Sequence, residues 1–270
     1  MPGDYLSRMT GELNLNNKGF TVFPEITKEW EHITVLSLFR NSIEMIPHEL
    51  FELRKLEVLN LGNNKLAAIP DAISNLENLR MLDLGHNELE AIPESIGQLK
   101  GLDQFLYLSN NRLKKFPAGI TKLNRLKYLN ATDNQLEIIP ENISQMAGLI
   151  ELRLYNNNIS SLPDSITALK ELRELYLMNN KLVSIPKRIG DLTNLRILDF
   201  RNNDITEVPE SIGDLKNLLY LDLRRNKLKT LPESLMALKA LQKIDLRWNS
   251  ELKIPSWINR IEENGCLVYS

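Results

Sequence analysis

The stretch LRELYLMNNKLVSIPKRIGDLTN, residues 172–194, decides the fold of this 270-residue chain. Leu175 and Leu177 alternate with polar or outward-facing neighbours, and this period of two is typical of a short strand. The chain must turn after the asparagines that follow, and Pro186 then blocks continued ladder pairing at its own position. Beyond the proline, apolar residues recur every three positions, which suits a short helix or a 3₁₀ turn laid back on the core.

The same 23-residue unit recurs along most of the chain. Its proline recurs at Pro24, Pro47, Pro70, Pro93, Pro117, Pro140, Pro163, Pro186, Pro209, Pro232 and Pro255. Its asparagine recurs at Asn41, Asn64, Asn87, Asn111, Asn134, Asn157, Asn180, Asn203, Asn226 and Asn249. Both series keep an interval of 23 residues except for one interval of 24, between the fourth and fifth units. Because two independent markers agree, the chain is interpreted as about eleven copies of one unit.

These markers also divide the chain. Residues 1–20 are predicted to form an N-terminal cap and an atypical first strand, residues 21–255 the repeats with the 24-residue unit at 94–117, and residues 256–270 a C-terminal cap. A single unit cannot bury its leucines alone, whereas stacked copies give each leucine position a continuous core. The predicted fold is therefore an α/β repeat solenoid, a curved horseshoe with a concave parallel β-sheet and short helical, 3₁₀ or extended segments on its convex side.

The unit L-x-x-L-x-L-x-x-N-x-L-x-x-[ILFV]-P-x-x-[IL]-x-x-[LM] resembles the leucine-rich repeat family over residues from about 10 to 256. The 23-residue form is similar to the typical intracellular subtype, which includes Ras-suppressor-type and bacterial or plant proteins. The resemblance implies that the asparagines form a ladder that satisfies buried turn carbonyls and amides, a role that suits a side chain with both donors and acceptors. Lys18 replaces the asparagine in the first unit, as expected for a cap near solvent.

The last fifteen residues depart from the repeat. Asn264 and Gly265 indicate a turn. The apolar residues of this segment are expected to cover the last open row of leucines: Trp257, Ile258, Ile261, Leu267 and Val268.

Composition limits the partners and the location. A net charge of −2 argues against a general nucleic-acid or membrane-surface binder, and no segment reaches the length of a membrane span or a signal peptide. The single cysteine, Cys266, fits a reducing compartment. A cytoplasmic protein is expected, with secretion as an effector left open. A monomer is expected because capped ends offer no open sheet edge.

No catalytic, metal or cofactor site is expected. His32, His48 and His86 have no metal-binding spacing, and the chain contains no phosphate-binding loop, dinucleotide fingerprint or nucleophile elbow. Cys266 could be proposed as a nucleophile, but a small apolar role in the cap is favoured because only about fifteen residues follow the repeats.

Binding residues are expected among the outward positions of the strands. Five of the seven tyrosines fall there, and aromatic, methionine and arginine side chains are enriched at binding hot spots. The alternative is that tyrosine merely has a high strand propensity. The candidate binding residues are Phe105, Tyr107, Tyr128, Arg153, Tyr155, Tyr176, Met178, Arg201, Tyr220, Arg224 and Arg247.

Two columns of opposite charge mark the last repeats. Asp199, Asp222 and Asp245 occupy one outward position, and Arg201, Arg224 and Arg247 lie two residues along. Opposite columns side by side neutralise each other. A solvent-exposed ion-pair network is at least as well supported as a site in which the arginines hold carboxylates or phosphates of a partner.

The 24-residue unit contains one local insertion. In GLDQFLYLSNN, residues 101–111, Leu106 and Leu108 keep their usual distances from Asn111, so the extra residue lies between Leu102 and Leu106. A bulge or kink at 103–105 is predicted, without a shift of the whole strand. A rival register would bury Phe105 in the leucine row.

The favoured function is a non-catalytic scaffold that binds an unidentified protein on the concave sheet face, without cofactor or metal. The alternative is the recognition or regulatory component of an enzyme system: a regulator of a phosphatase or small GTPase, or a host-directed bacterial effector without its own catalytic domain. The fold alone does not separate the two, because one scaffold serves many partners.

Overall fold

The computed structural model describes the backbone of residues 6–7 and residues 11–270 with their side chains. The chain divides into two compact units, Met1–Asn134 and Gln135–Ser270. In the first unit the strands are β1 (Leu6–Ser7), β2 (Glu12–Asn14), β3 (Val35–Ser37), β4 (Val58–Asn60), β5 (Met81–Asp83), β6 (Phe105–Tyr107) and β7 (Tyr128–Asn130). In the second they are β8 (Glu151–Arg153), β9 (Glu174–Tyr176), β10 (Ile197–Asp199), β11 (Tyr220–Asp222), β12 (Lys243–Asp245) and β13 (Leu267–Tyr269).

Strands of successive repeats pair in parallel within each unit. In the first unit β2 to β7 pair in sequence order, and β1 joins β2 antiparallel. In the second unit β8 to β13 pair in the same order. The central leucines stay in register, as Leu198 does with Leu175 and Leu221, and all three are at most 1% exposed. The predicted repeat solenoid is confirmed.

The return segments are 3₁₀ turns. In the first unit they are Lys28–His32, His48–Glu52, Asp71–Asn75, Glu94–Gln98 and Ala118–Lys122. In the second they are Ile143–Gln145, Asp164–Ala168, Ile189–Asp191, Glu210–Asp214 and Glu233–Ala237. The proline sets the start of most of them, because its ring fixes φ and its carbonyl accepts the first bond. Ile73 N, for example, donates to Pro70 O at 3.0 Å.

The repeat asparagines cross-link neighbouring turns. Nδ2 of Asn87 donates to the carbonyls of Leu61 at 3.0 Å and Leu84 at 3.1 Å, while its Oδ1 accepts from Leu66 N at 2.9 Å. Leu61 O also accepts from Asn64 and Leu84 O from Asn111, whereas the amide of Leu66 would be buried without a partner if Asn87 were absent. One side chain therefore ties its own turn to the turn of the preceding repeat.

The extra residue of the fifth repeat is Asp103. Gln104 N donates to Arg80 O at 3.1 Å, so Gln104 occupies the position that directly precedes a strand, and Leu106 remains in register with Leu82 and Leu129. The carboxylate of Asp103 is held by Arg80 at 3.1 Å and Arg125 at 3.4 Å. The prediction that the strand register is kept is confirmed, and the rival register is wrong.

The C-terminal segment forms a helix, α1 (Ile258–Glu263), followed by β13. Ile258 and Ile261 are buried, but Leu267 is 60% exposed, so its predicted place in the core is wrong. Val268 pairs with Ile244 on β12, and the alternation of a strand therefore turns Leu267 outward. Among the described strands β13 pairs only with β12, which leaves an edge where none was expected.

Candidate functional site

The outward positions of the strands, here called the strand face, carry the candidate binding residues. The structure places Phe105, Tyr107, Tyr128, Arg153, Tyr176 and Tyr220 on strands and Tyr155, Met178, Arg201, Arg224 and Arg247 two residues beyond the end of a strand. These positions face away from the leucine core because side chains alternate along a strand. The two compact units each carry a group of them.

In the first unit three rings form an aromatic cluster: Phe105, Tyr107 and Tyr128. The centroids of Phe105 and Tyr107 are 6.0 Å apart with the rings 11° from parallel, and Tyr128 lies 5.5 Å from Phe105 and 5.1 Å from Tyr107. Phe105 is 37% exposed. The parallel register of β6 and β7 brings these rings together, because Phe105 and Tyr128 are direct partners. The cluster therefore presents a rigid, partly apolar surface.

In the second unit Arg153 lies 5.1 Å above the ring of Tyr176 and forms an ion pair with Glu151. The hydroxyl of Tyr176 donates to Glu174 Oε2 at 2.8 Å. Burial, and then the hydrogen bond and the charge of Glu174, raise the pKa of Tyr176 well above its ordinary value. Tyr176 thus stays a neutral hydrogen-bond donor, and the structure offers it no role in proton transfer near neutral pH.

Met178 and Arg201 contact each other, and Tyr220 contacts none of the other candidate residues named above. Arg201 Nη2 lies 2.6 Å from Met178 Sδ, so these two cover each other. Tyr220 is 42% exposed, and its hydroxyl donates to Gln242 at 2.8 Å. A shallow cavity of about 140 Å³ lies beside Tyr220, lined also by Asp222 and Lys243.

The aspartate column closes turns rather than lining a solvent-exposed network. Oδ1 of Asp199 accepts a hydrogen bond from the backbone N–H of Arg201 at 3.0 Å. Oδ1 of Asp222 accepts one from the backbone N–H of Arg224 at 3.1 Å. Such local side-chain to backbone bonds fold the carboxylate against its own turn. The side chain of Asp245 is fully buried, so the expectation of an exposed network is wrong for it.

The arginine column compensates these carboxylates unevenly. Arg224 lies 2.5 Å from Asp222 and 3.3 Å from Asp245, and Arg247 lies 2.6 Å from Asp245. Arg201 is 3.7 Å from Asp199. Burial alone raises the pKa of Asp245, but the bond from Arg247 and the charge of Arg224 outweigh it and lower the pKa. Burial, helped by the charge of Asp222, raises the pKa of Asp199.

Asn substitutions at these two aspartates are expected to act in opposite directions. Asp199→Asn should raise the unfolding midpoint at pH 7, because the native state holds an ionised group whose pKa is raised. Asp245→Asn should lower the free energy of unfolding by about 2 kcal/mol, since it loses charge-assisted bonds. Urea unfolding measures both, and a loss of stability in both variants would contradict the assignment.

The stability of the fold should also depend on pH in opposite directions through Asp199 and Asp245. As pH falls through the raised pKa of Asp199, protonation should stabilise the wild type, but not Asp199→Asn. The contribution of Asp245 is present above the ordinary pKa of 3.8 and is lost as pH falls below it through the lowered folded value. If Asp199→Asn has the same pH dependence of stability as the wild type, protonation of Asp199 does not stabilise the fold.

Other titratable candidates do not form a reactive group. Cys266 is buried and unpaired, and burial raises the pKa of its thiol, which disfavours the thiolate needed for nucleophilic chemistry. His86 Nε2 lies 3.3 Å from Asn110 Nδ2, and His32 Nδ1 lies 3.4 Å from Lys55 Nζ. No cluster of three metal-ligating side chains occurs in residues 11–270. No helix in the described chain has the length and apolar character to span a membrane.

Sequence reasoning missed three outward residues of the second unit: Trp248, Arg225 and Tyr269. Trp248 occupies the turn position before the repeat asparagine, and it is the one tryptophan in that row of the repeat. Comparing the residues at this turn position across the repeats, as was done for the strand positions, could have found Trp248. Tyr269 lies beyond the repeat grid, where no row was assigned.

Comparisons with known proteins agree with this architecture. The leucine rich repeat model matches residues 31–89, and the leucine-rich repeat region model matches residues 117–198 and 184–263. No curated protein sequence matches.

Among solved structures, a leucine-rich repeat protein of Leptospira interrogans is 34% identical, with a TM-score of 0.77 and coverage of 96% of this chain and 72% of that one. The ectodomain of the plant membrane receptor kinase GASSHO1/SCHENGEN3 from Arabidopsis thaliana, in complex with CASPARIAN STRIP INTEGRITY FACTOR 2, is 33% identical over 87% of this chain, with a TM-score of 0.77. A plant peptide hormone receptor in complex with RGF2 is 31% identical over 95% of this chain, with a TM-score of 0.75. This chain spans 29% and 46% of those two receptor chains.

Proposed function

Because the chain belongs to the leucine-rich repeat family, we propose that it is a non-catalytic binding domain that holds a protein or peptide partner on its strand face. The aromatic cluster is the observation that supports this most. Phe105, Tyr107 and Tyr128 pack against one another beside solvent, and such preorganised aromatic surface gives binding energy at little entropic cost. Two of the similar structures are receptors in complex with a ligand, which supports a binding role by analogy.

The finer parts of the proposal are the 23-residue intracellular subtype, a cytoplasmic location and a monomeric state. The repeat period supports the first, and the single buried cysteine is compatible with the second. Subcellular fractionation and analytical ultracentrifugation test location and oligomeric state directly.

The binding proposal is tested by removing outward aromatic surface from each unit separately. One variant combines Phe105→Ala, Tyr107→Ala and Tyr128→Ala, and a second combines Tyr155→Ala and Tyr176→Ala. Each is used as affinity bait in quantitative mass spectrometry beside the wild type. At least one is expected to lose a partner's affinity by about tenfold or more, equivalent to about 1.4 kcal/mol.

The control removes a similar amount of exposed apolar surface away from the strand face, through Ile138→Ala, Val183→Ala and Ile254→Ala. These side chains are 66%, 53% and 41% exposed in the turns before the prolines. The control should keep the partners of the wild type. Unchanged partners in both strand-face variants, with circular dichroism showing intact folds, would refute the proposal.

A further inference from the structure

The turn of the last repeat places a tryptophan in the left-handed backbone conformation that this turn adopts in every repeat. Trp248 has φ of +63°, the left-handed region that bulky side chains rarely adopt. The same turn position in other repeats is mostly asparagine, as in Asn156, Asn179 and Asn202 with φ of 55–56°. Asparagine tolerates this conformation, whereas tryptophan gains nothing there from backbone preference. The side chain of Trp248 is also 60% exposed, so core packing does not account for it. Strained residues of this kind cluster at functional positions.

Cations and rings alternate around Trp248. The guanidinium carbon of Arg225 lies 5.0 Å from the Trp248 ring centre, and that of Arg247 lies 5.3 Å from it. Arg247 also lies 4.9 Å from the ring of Tyr269, and Nζ of Lys243 lies 5.1 Å from the same ring. These five residues, Arg225, Trp248, Arg247, Tyr269 and Lys243, are here called the cation–aromatic stack. All lie in the second unit.

The charges of the stack are not balanced within the described chain. Arg247 is paired with the buried Asp245 at 2.6 Å. Neither Arg225 nor Lys243 forms an ion pair with any residue in the part of the chain that the structure covers. The three cations of the stack therefore form one ion pair, with Asp245, which Arg224 also contacts, and Asp222 lines the cavity beside Lys243. The exposed rings of Trp248 and Tyr269 lie between the cations. The surface is complementary to a ligand that carries both negative charge and apolar groups.

Contact with the Trp248 ring also restricts the side chain of Arg225. A guanidinium that lies against a ring keeps its in-plane N–H groups directed outward, where they match the two oxygens of a carboxylate. The ring restricts the long side chain in advance, so less conformational entropy is lost when an anion binds. Arg225 is thus positioned to donate hydrogen bonds to a carboxylate.

The geometry points to the cation–aromatic stack as a binding site for an acidic segment of a partner protein, with carboxylates at Arg225 and Lys243 and an apolar side chain against Trp248. This inference rests on the proposed function, since it names the chemistry of a partner of the strand face. Tryptophan and arginine are the residue types that dominate binding energies at interfaces, which fits this composition.

The probe is an acetylated octapeptide, Glu-Asp-Phe-Glu-Asp-Leu-Glu-Asp, titrated into the ¹⁵N-labelled full chain. The three tryptophans give three indole N–H signals, and Trp248→Asn assigns one of them by its loss. The Trp248 signal is expected to shift on titration. The same peptide with Gln and Asn in place of the acids should bind at least about tenfold more weakly, because the screened charge attraction is gone.

Two variants separate binding from folding. Trp248→Asn installs the residue that most repeats already carry, so its thermal midpoint should equal or exceed that of the wild type while peptide affinity falls about tenfold or more. Arg225→Asn should weaken binding by about fivefold or more. Arg40 occupies the same left-handed turn position in the second repeat, so Arg40→Asn is the matched control and should bind as the wild type does.

Several results would overturn the inference. These are an unshifted Trp248 indole signal, equal affinity of the neutral peptide, full binding by Trp248→Asn, or binding only to a phosphoserine version of the peptide. A lowered midpoint in Trp248→Asn would instead assign the tryptophan a packing role and refute the strain argument. Loss of protein partners by the aromatic-surface variants alone, with Trp248→Asn unaffected, would leave the strand-face function standing and reject only this site.

Discussion

Replacing Asn203 with alanine is expected to lower the free energy of unfolding by about 3 kcal/mol or more. Its Nδ2 donates to the carbonyls of Phe200 at 2.8 Å and Leu177 at 3.0 Å, and its Oδ1 accepts from Leu182 N at 3.0 Å. Asn203 is only 8% exposed, so water does not replace these bonds freely. Alanine would leave the amide of Leu182 without a partner, and a buried unpaired group costs about 1–3 kcal/mol. It would also remove one bond from each carbonyl, at about 1 kcal/mol per bond, although Leu177 O keeps Asn180 and Phe200 O keeps Asn226 as donors.

Asn217→Ala is the matched control for this substitution. The side chain of Asn217 is exposed, and its Nδ2 donates to Thr193 O at 2.9 Å, a carbonyl that water can reach after the change. A loss below about 1 kcal/mol is expected there. Urea unfolding with the slope compared between variants measures both losses. Equal losses at the two positions would show that the ladder asparagines are not structural cross-links.

Replacing Gly190 with alanine is expected to cost about 3 kcal/mol, at the upper end for overpacking. Gly190 lies in the 3₁₀ segment Ile189–Asp191 and approaches the segment Glu210–Asp214 of the next repeat. A Cβ atom there would lie 2.1 Å from Ser211 O and 2.8 Å from Asp214 Cβ. The nearest obstacle is backbone, so no rotamer change relieves it, and the two repeats must separate locally.

Gly62→Ala tests whether this cost comes from contact rather than from the loss of glycine. The atoms nearest to a Cβ at Gly62 belong to the carboxyl group of Asp83, at 3.1 Å, so a small shift of that side chain relieves the contact. The expected loss is below about 1 kcal/mol. Hydrogen exchange of the amides in the segment Glu210–Asp214 should accelerate in Gly190→Ala and not in Gly62→Ala. Unchanged exchange in both would contradict the close approach.

The sequence predicted much of the architecture because the repeat makes each unit a copy of its neighbours. The alternation around Leu175 and Leu177 identified a strand, and the structure has it at Glu174–Tyr176. The intervals around Leu106 and Asn111 located the extra residue to within three positions. They did not identify Asp103 as that residue, since its place is decided by Arg80 and Arg125, which lie in the adjacent repeats.

The candidate site was predicted less completely. Row positions identified Phe105, Tyr107 and Tyr128 as outward residues, and the structure adds that the three rings contact each other. The aspartate and arginine columns were interpreted as a solvent-exposed ion-pair network or as a binding site, because opposite charges side by side neutralise each other. The backbone amide two residues along instead draws each carboxylate into its own turn, and for Asp245 burial is complete.

The sequence by itself determined the period, and with it the strand register, the buried leucines, the asparagine ladder and the direction in which each outward residue faces. Those features depend on the backbone, which a 23-residue repeat fixes for every unit at once. Only the tertiary structure decided which outward side chains meet: Arg224 between Asp222 and Asp245, and Arg225 and Arg247 on Trp248. The physical reason is that such contacts depend on side-chain rotamers and on neighbours about 23 residues away, and spacing along the chain specifies neither.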